Sequence, residues 1–227
     1  ITTYDPTTGG LKSLLELAAN GTIIRSQTYS GGGLVNEDVV SEQGKVTYTY
    51  NSAGTKISQL QIDPDGTKTT TLYDATSGAV TKVYVANPDG SGETRAYGLT
   101  GLAWSTEIQL TDATGKMVSL TRSAADGRLV STDIVQGTSR ITTAYDSQGR
   151  RQTETTVTGD VTKDGTRTVL TYDPATVTLV SRVVQSAVGG TVTTSFKAGI
   201  IAQIVSVLPD GSRSTVTYDA AGKKTNE

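Results

Sequence analysis

The chain contains no cysteine and no histidine, and only one Phe, one Trp and one Met among 227 residues. Without cysteine there is no disulfide framework and no thiolate metal site, and the redox compartment stays open. Without histidine or cysteine there is no Ser-His-Asp or Cys-His arrangement and no imidazole base, which removes most hydrolase mechanisms. Membrane insertion is not expected, because no apolar stretch approaches the roughly 20 residues a bilayer span needs. Nucleic acid and anionic membrane are set aside as partners, because the net charge is −2 and no long run of like charges occurs. The chain starts at Ile1 and stops at "KKTNE" just after a turn signal, so it is expected to be a piece of a longer polypeptide. The lack of a targeting segment then says little about the parent.

What is abundant is β-branched: 41 Thr and 22 Val, in a chain only 35% apolar. Such residues fit a pleated, half-buried surface and lose rotamer freedom in a helix. The composition predicts a strand-rich, core-poor chain of one or two domains.

A repeat runs through the whole sequence. Its mark is an aromatic followed a few residues later by Gly: Tyr4-Asp5, Tyr29-Ser30, Tyr50-Asn51, Tyr73-Asp74, Tyr97-Gly98, Tyr145-Asp146, Tyr172-Asp173, Phe196-Lys197 and Tyr218-Asp219. A degenerate copy without the aromatic fits at Ser123 in "SAADGRLVS". Successive intervals are then 25, 21, 23, 24, 26, 22, 27, 24 and 22 residues. A second Gly precedes each following aromatic, and three of these glycines, Gly66, Gly90 and Gly211, stand in Pro-Asp-Gly turns. There Pro presets one turn position and Gly supplies a positive φ. The segments between turns, such as "TKTTTLY" and "VTLVSRVVQS", read as strands, two per repeat and roughly 18–20 in all.

Residues 1–227 are therefore one continuous array of about nine to ten repeats of about 24 residues and an all-β fold. A long antiparallel meander is favoured, because hairpin tips absorb the small insertions between copies. A sheet of that length should curl or spiral. A parallel β-solenoid, with strands paired one period apart, is the alternative. Two segments stand out. "LKSLLELAA" (11–19) has helical spacing but suits a strand equally, and residues 98–123, which hold the only Trp, are where the pattern should be interrupted.

Carboxylate-pair catalysis is formally available at Asp63/Asp65 or Glu37/Asp38. Asp63 and Asp65, however, flank Pro64 in a turn, where Asp serves by bonding nearby backbone amides. No cofactor is expected. Calcium is the ligand that "DPDG", "NPDGSG" and "TKDG" suggest, although none matches a known calcium loop. "YSGGGL" (29–34) lacks the Lys-Ser/Thr and helix of a phosphate cradle and reads as a turn. The periodic Tyr residues admit two readings: a ladder that stacks sugar rings, or rings packed along one sheet edge with their hydroxyls on backbone groups. Tyr4, Asp5, Tyr50, Asn51, Tyr73, Asp74, Tyr145, Asp146, Tyr172, Asp173, Tyr218 and Asp219, with Gly66, Gly90 and Gly211, are assigned as structural repeat positions.

In "TYTYNSAGTKIS", "DPDGTKTTTLYDATSG", "ITTAYDSQGRRQTE" and "LPDGSRSTVTYDAAGKK" the chain resembles the YD-repeat (Rhs) family. The resemblance covers essentially the whole sequence. It implies long antiparallel meanders that spiral into a shell, as in the cocoons of polymorphic toxins and the barrel of teneurins. It also implies a non-enzymatic structural role in a large secreted or surface-attached bacterial protein, and it imports no active site. The family's shells often end in a self-cleaving core with a "DPxGL"-type motif. "DPTTGGL" (5–11) looks similar but reads as an ordinary repeat. The expected function is a β-sheet wall, shell or fibre, extracellular or at the cell surface. The alternatives are a carbohydrate-binding adhesin module and part of a shell enclosing a C-terminal toxin. The expected partners are the rest of the parent chain, with copies of itself and carbohydrate as further candidates.

Overall fold

The computed structural model describes residues 1–227. It contains twenty β-strands and no helix. The chain divides into two compact units, Ile1–Leu99 with Thr106–Lys116, and Thr100–Ser105 with Met117–Glu227.

The first unit holds β1 (Thr2–Tyr4), β2 (Leu11–Leu17), β3 (Ile23–Ser30), β4 (Gly33–Ser41) and β5 (Gly44–Tyr50). It continues with β6 (Lys56–Ile62), β7 (Lys68–Tyr73), β8 (Val80–Ala86), β9 (Gly92–Ala96) and β10 (Thr106–Thr111). The second unit holds β11 (Met117–Ser123), β12 (Leu129–Gln136), β13 (Ser139–Tyr145), β14 (Arg151–Thr158) and β15 (Thr166–Tyr172). It ends with β16 (Leu179–Ser186), β17 (Thr191–Lys197), β18 (Ile200–Val207), β19 (Arg213–Tyr218) and β20 (Lys224–Asn226). Within each unit every strand pairs antiparallel with its neighbours in the chain.

The meander is thus the fold, and the parallel-solenoid alternative is corrected: a solenoid coil pairs strands one period apart, whereas here each turn reverses the chain. "LKSLLELAA" supplies β2, a strand. Pairing on both sides outweighs its helical spacing. Between residues 98 and 123 the backbone lacks strand structure at 97–105, and two regular strands, β10 and β11, follow.

Each odd-numbered strand ends within one residue of its repeat aromatic, and β11 ends at Ser123 where the aromatic is missing. Just before that position the register slips by one residue in nine of the ten odd strands, for example at Thr49/Tyr50, Leu72/Tyr73 and Ala144/Tyr145. Such a bulge re-aims the side chain beyond it. At β6 the extra residue is Ile57, and Lys56 comes to lie opposite Tyr50.

In strands such as β6 and β7 both faces are half-buried, whereas β8 leaves the face of Val80, Lys82, Tyr84 and Ala86 exposed. Only Ala96, Leu120 and Tyr172 are buried apolar residues, and the polar residues Gln27, Glu37, Asp133 and Thr143 are buried as well. No side chain is wholly enclosed. Stability therefore resides in the ladder and in cross-strand side-chain pairs, each worth roughly 0.2–1 kcal/mol.

Candidate functional site

The repeat signature converges at the turn that follows each odd strand. In the short form, Asn51 N–H donates to Thr55 O, Gly54 N–H donates to Asn51 O, and Asn51 Oδ1 accepts the amides of Ala53 and Thr55 at 3.0 and 2.9 Å. Asp146 Oδ1 takes Gln148 and Arg150 at 2.8 and 2.9 Å, and Asp219 Oδ1 takes Ala221 and Lys223 at 2.9 and 2.8 Å. A form one residue longer follows Asp5, Asp74 and Asp173, whose Oδ1 atoms accept Thr7 and Thr8, Thr76 and Ser77, and Ala175 and Thr176. One side-chain oxygen thus satisfies two backbone donors that would otherwise be unpaired. Backbone amides, foremost those of Thr8, Ser77, Arg150 and Thr176, hold the carboxyls of Asp5, Asp74, Asp146 and Asp173 below the ordinary aspartate value.

The longer turn needs a left-handed residue four positions after its Asp. Gly9 and Gly78 supply it at φ 68° and 69°, but after Asp173 the place is taken by Val177 at φ 56°. A β-branched residue there carries roughly 1–2 kcal/mol of steric strain. Val177→Gly is expected to stabilise the protein by about 1 kcal/mol once the extra freedom of the unfolded glycine is subtracted, raising Tm by roughly 2–4 °C. Differential scanning calorimetry reads this, and an unchanged or lowered Tm contradicts it.

The opposite turns follow the same logic. Asp65, Asp89 and Asp210 accept the amides of Thr67, Ser91 and Ser212 at 2.9, 2.9 and 2.8 Å, and Gly66, Gly90 and Gly211 stand at φ 89°, 87° and 85°. Gly90 is doubly required, because a Cβ there would lie 2.7 Å from Ala113 O.

Three of the repeat tyrosine hydroxyls are tied to side chains, not to backbone as the sequence suggested. Tyr29 Oη donates to Gln27 Oε1 at 2.8 Å, Tyr50 Oη to Glu37 Oε2 at 3.1 Å and Tyr73 Oη to Gln59 Oε1 at 3.2 Å. These acceptors lie mid-strand, where the backbone groups are already engaged in the ladder with both neighbouring strands. Lys56 Nζ stands 4.3 Å from the Tyr73 ring, and the Arg151 guanidinium 4.0 Å from that of Tyr172. In both cases a cation placed beyond the bulge of one repeat covers the aromatic of the next. Tyr145 and Tyr218 are half-buried and Tyr4 is exposed.

Glu37 is the centre of the best-connected network. It accepts Arg25 Nε at 2.6 Å and Gln27 Nε2 at 2.9 Å besides Tyr50. Burial pushes its carboxyl up, but the donors Arg25, Gln27 and Tyr50 outweigh this and hold it below the ordinary glutamate value. Burial, with the bond to Glu37, pushes the Tyr50 phenol up. Asp38, the next residue, faces the other side of the strand and bonds Lys45 and Thr47 at 2.8 and 2.6 Å. Glu37 and Asp38 therefore do not face each other as a carboxylate pair, since alternation along a strand sends neighbours to opposite faces. Asp63 and Asp65 likewise go separate ways, Asp63 to Gln61 Nε2 at 2.6 Å and Asp65 to the Thr67 amide.

A second buried carboxylate, Asp133, is 3% exposed. It accepts Arg140 at 3.2 Å and the Thr142 hydroxyl, and Arg122 stands 3.7 Å from it. The Trp104 ring lies 4.6 Å from the Arg122 guanidinium.

Shallow grooves recur between successive aromatic turns. One, about 440 Å³, is lined by residues that include Asp5, Thr8, Lys12 and Tyr29, and others of about 310 and 280 Å³ lie beside Tyr145 and Tyr218. No three acidic side chains converge. The carboxylates are arranged as turn caps and ion-pair partners, an arrangement that fixes backbone.

Sequence reasoning missed Gln27, Gln59, Lys56, Arg151 and Asp133. For Lys56 and Arg151 a signal existed: each lies six residues past a repeat Tyr. Gln27 stands two residues before its partner Tyr29, while Gln59 and Asp133 carry no local mark, since their partners come from neighbouring strands.

A family model described as Teneurin YD-shell matches residues 3–222. No curated protein matches the chain. Among solved structures, a chain in the "Crystal Structure of TcdB2-TccC3-TEV" is similar at 12% identity over 96% of this chain, with a TM-score of 0.23. The present sequence spans 15% of that chain's length.

Proposed function

Because the chain belongs to the teneurin YD-shell family, we propose that it forms part of the wall of a larger secreted or cell-surface protein and that this wall encloses another segment of the same polypeptide. The wall is non-enzymatic and acts mechanically. The observation that supports this reading most is where the distinctive side chains are spent. Glu37 with Tyr50, Gln59 with Tyr73, Lys56 with Tyr73 and Arg151 with Tyr172 each join one repeat to the next. A binding or catalytic surface would aim such groups outward. Here they complete the neighbouring repeat, which is what a self-continuing wall requires.

The test is protection in the parent protein. With the wall intact, the enclosed segment resists a soluble protease, and with residues 1–227 deleted it is digested as fast as when made alone. Equal digestion of that segment in both forms would refute enclosure. Glycan binding that disappears on Tyr4→Ala, the most exposed repeat aromatic, would support an adhesin in its place.

A further inference from the structure

We propose that the second unit's segment Thr100–Ser105 is an endoproteolytic site, cut before Leu102 by an endopeptidase that selects an aliphatic residue on the C-terminal side of the scissile bond. The inference is independent of the shell reading and rests on how this connection differs from the others.

Elsewhere, exposed apolar residues at turns are held in closed backbone loops. Leu208 is 56% exposed, but its amide donates to Ser212 O, and Val177 donates to Asp173 O. Val188 sits between Ser186 and Gly189, whose amide returns to Ser186 O. The long connection 159–165 is cinched by Asp160, whose carbonyl accepts Lys163, Asp164 and Gly165 and whose Oδ1 accepts Thr162. None of these can be drawn into an extended strand without breaking its turn.

The segment 97–105, "YGLTGLAWS", has no Asp, Asn or Pro to cap or close it. It is anchored at its ends, by Tyr97 N–H to Thr81 O and Ser105 N–H to Ser123 O, each at 2.9 Å. Between them residues 100–103 are exposed, Leu102 at 52%. Gly98 and Gly101 have open space where a Cβ would be. Endopeptidases bind substrate as an added extended strand, and small-residue loops of this kind are where chains are nicked. The Gly101–Leu102 bond combines the accessible backbone with an exposed aliphatic side chain. Water adds across it, leaving a carboxylate at Gly101 and an amine at Leu102.

The cut leaves the strands that flank the segment in sequence joined: β9 and β10, both of the first unit, stay paired from Glu107↔Ala96 to Thr111↔Gly92. The nicked protein therefore keeps its strands while the constraint on the connection is lost. Trp104, two residues beyond the cut and the only tryptophan, is the natural reporter.

The probe is thermolysin, which cuts before aliphatic residues, applied to the folded chain and followed by intact mass and Trp fluorescence. The first cut is expected at Gly101–Leu102, about tenfold faster than any other, in the regime where opening limits cleavage elsewhere. The fragments are expected to co-elute natively and separate in denaturant, with a shift in Trp104 emission. In Leu102→Asp, shown folded by an unchanged circular dichroism spectrum, this cut is expected to slow about tenfold. First cuts before Val188 or Leu208, or a Leu102→Asp protein cut at the same bond as fast as wild type, would overturn the proposal.

Discussion

Deleting residues 51–73 is expected to leave a folded protein one repeat shorter, whereas deleting residues 51–62 should cost most of its stability. The first deletion joins Tyr50 directly to Asp74, so β5 meets an intact aromatic turn and then β8, the strand that normally follows such a turn. Direction, bulge and capping are all conserved. The second joins Tyr50 to Asp63, so β7 takes the place of β6 and runs the wrong way. Every later aromatic in that unit then arrives at the opposite edge. Lys56 and Gln59, the partners of Tyr73, are gone as well. In thermal unfolding followed by circular dichroism, the whole-repeat deletion should stay within roughly 5 °C of wild type and the half-repeat deletion should fall by at least about 10 °C, several kcal/mol for a chain of this size. Equal losses would show that the unit of stability is not the two-strand repeat.

Acid should destabilise the fold steeply, and the cause is distributed along both rows of turns. Asp5, Asp65, Asp74, Asp89, Asp112, Asp126, Asp146, Asp160, Asp173 and Asp210 all titrate below the ordinary aspartate value, because backbone amides or neighbouring hydroxyl and guanidinium groups donate to the ionised form. A group whose folded pKa is depressed contributes stability that is complete above its unfolded pKa, near 3.9, and is lost as pH falls through the lower folded value. Each site is exposed or half-buried and individually modest, but all ten act in the same direction. Tm should therefore be flat above about pH 5 and fall progressively below about pH 4. Asn51 shows that an amide caps the same turn without titrating. Replacing Asp74, Asp146 and Asp173 with Asn should flatten the acid limb and lower Tm at neutral pH modestly, because a neutral amide lacks the charge-assisted bonds of the carboxylate and, at position 146, the Arg150 ion pair. A Tm that is indifferent to acid, or an unaltered acid limb in the triple variant, would contradict this.

The parts of this fold that are written locally could be read from the sequence. Turn Asp and Gly residues act within four positions of themselves, so "YDATSG" and "PDG" disclosed both turn rows, and the strands between them followed. The choice between meander and solenoid could not be settled that way, since both produce the same period and differ only in which strands touch. The Glu37 network was hidden for a related reason: Arg25, Gln27 and Tyr50 reach it from flanking strands, and their convergence depends on register. The bulges shift that register by one residue, which is why the hydroxyls of Tyr50 and Tyr73 meet side chains and why Lys56 and Arg151 cover the next ring. Asp133 was invisible because a single acidic residue in a Thr-rich strand carries no sign of the two arginines that face it.

The most direct measurement is the structure of the intact parent protein by electron cryomicroscopy. The account predicts that residues 1–227 lie in a continuous antiparallel β-wall, paired to further repeats of the same chain, with protein density enclosed on one side. A segment standing free, with solvent against both faces of its strands and nothing enclosed, would contradict it.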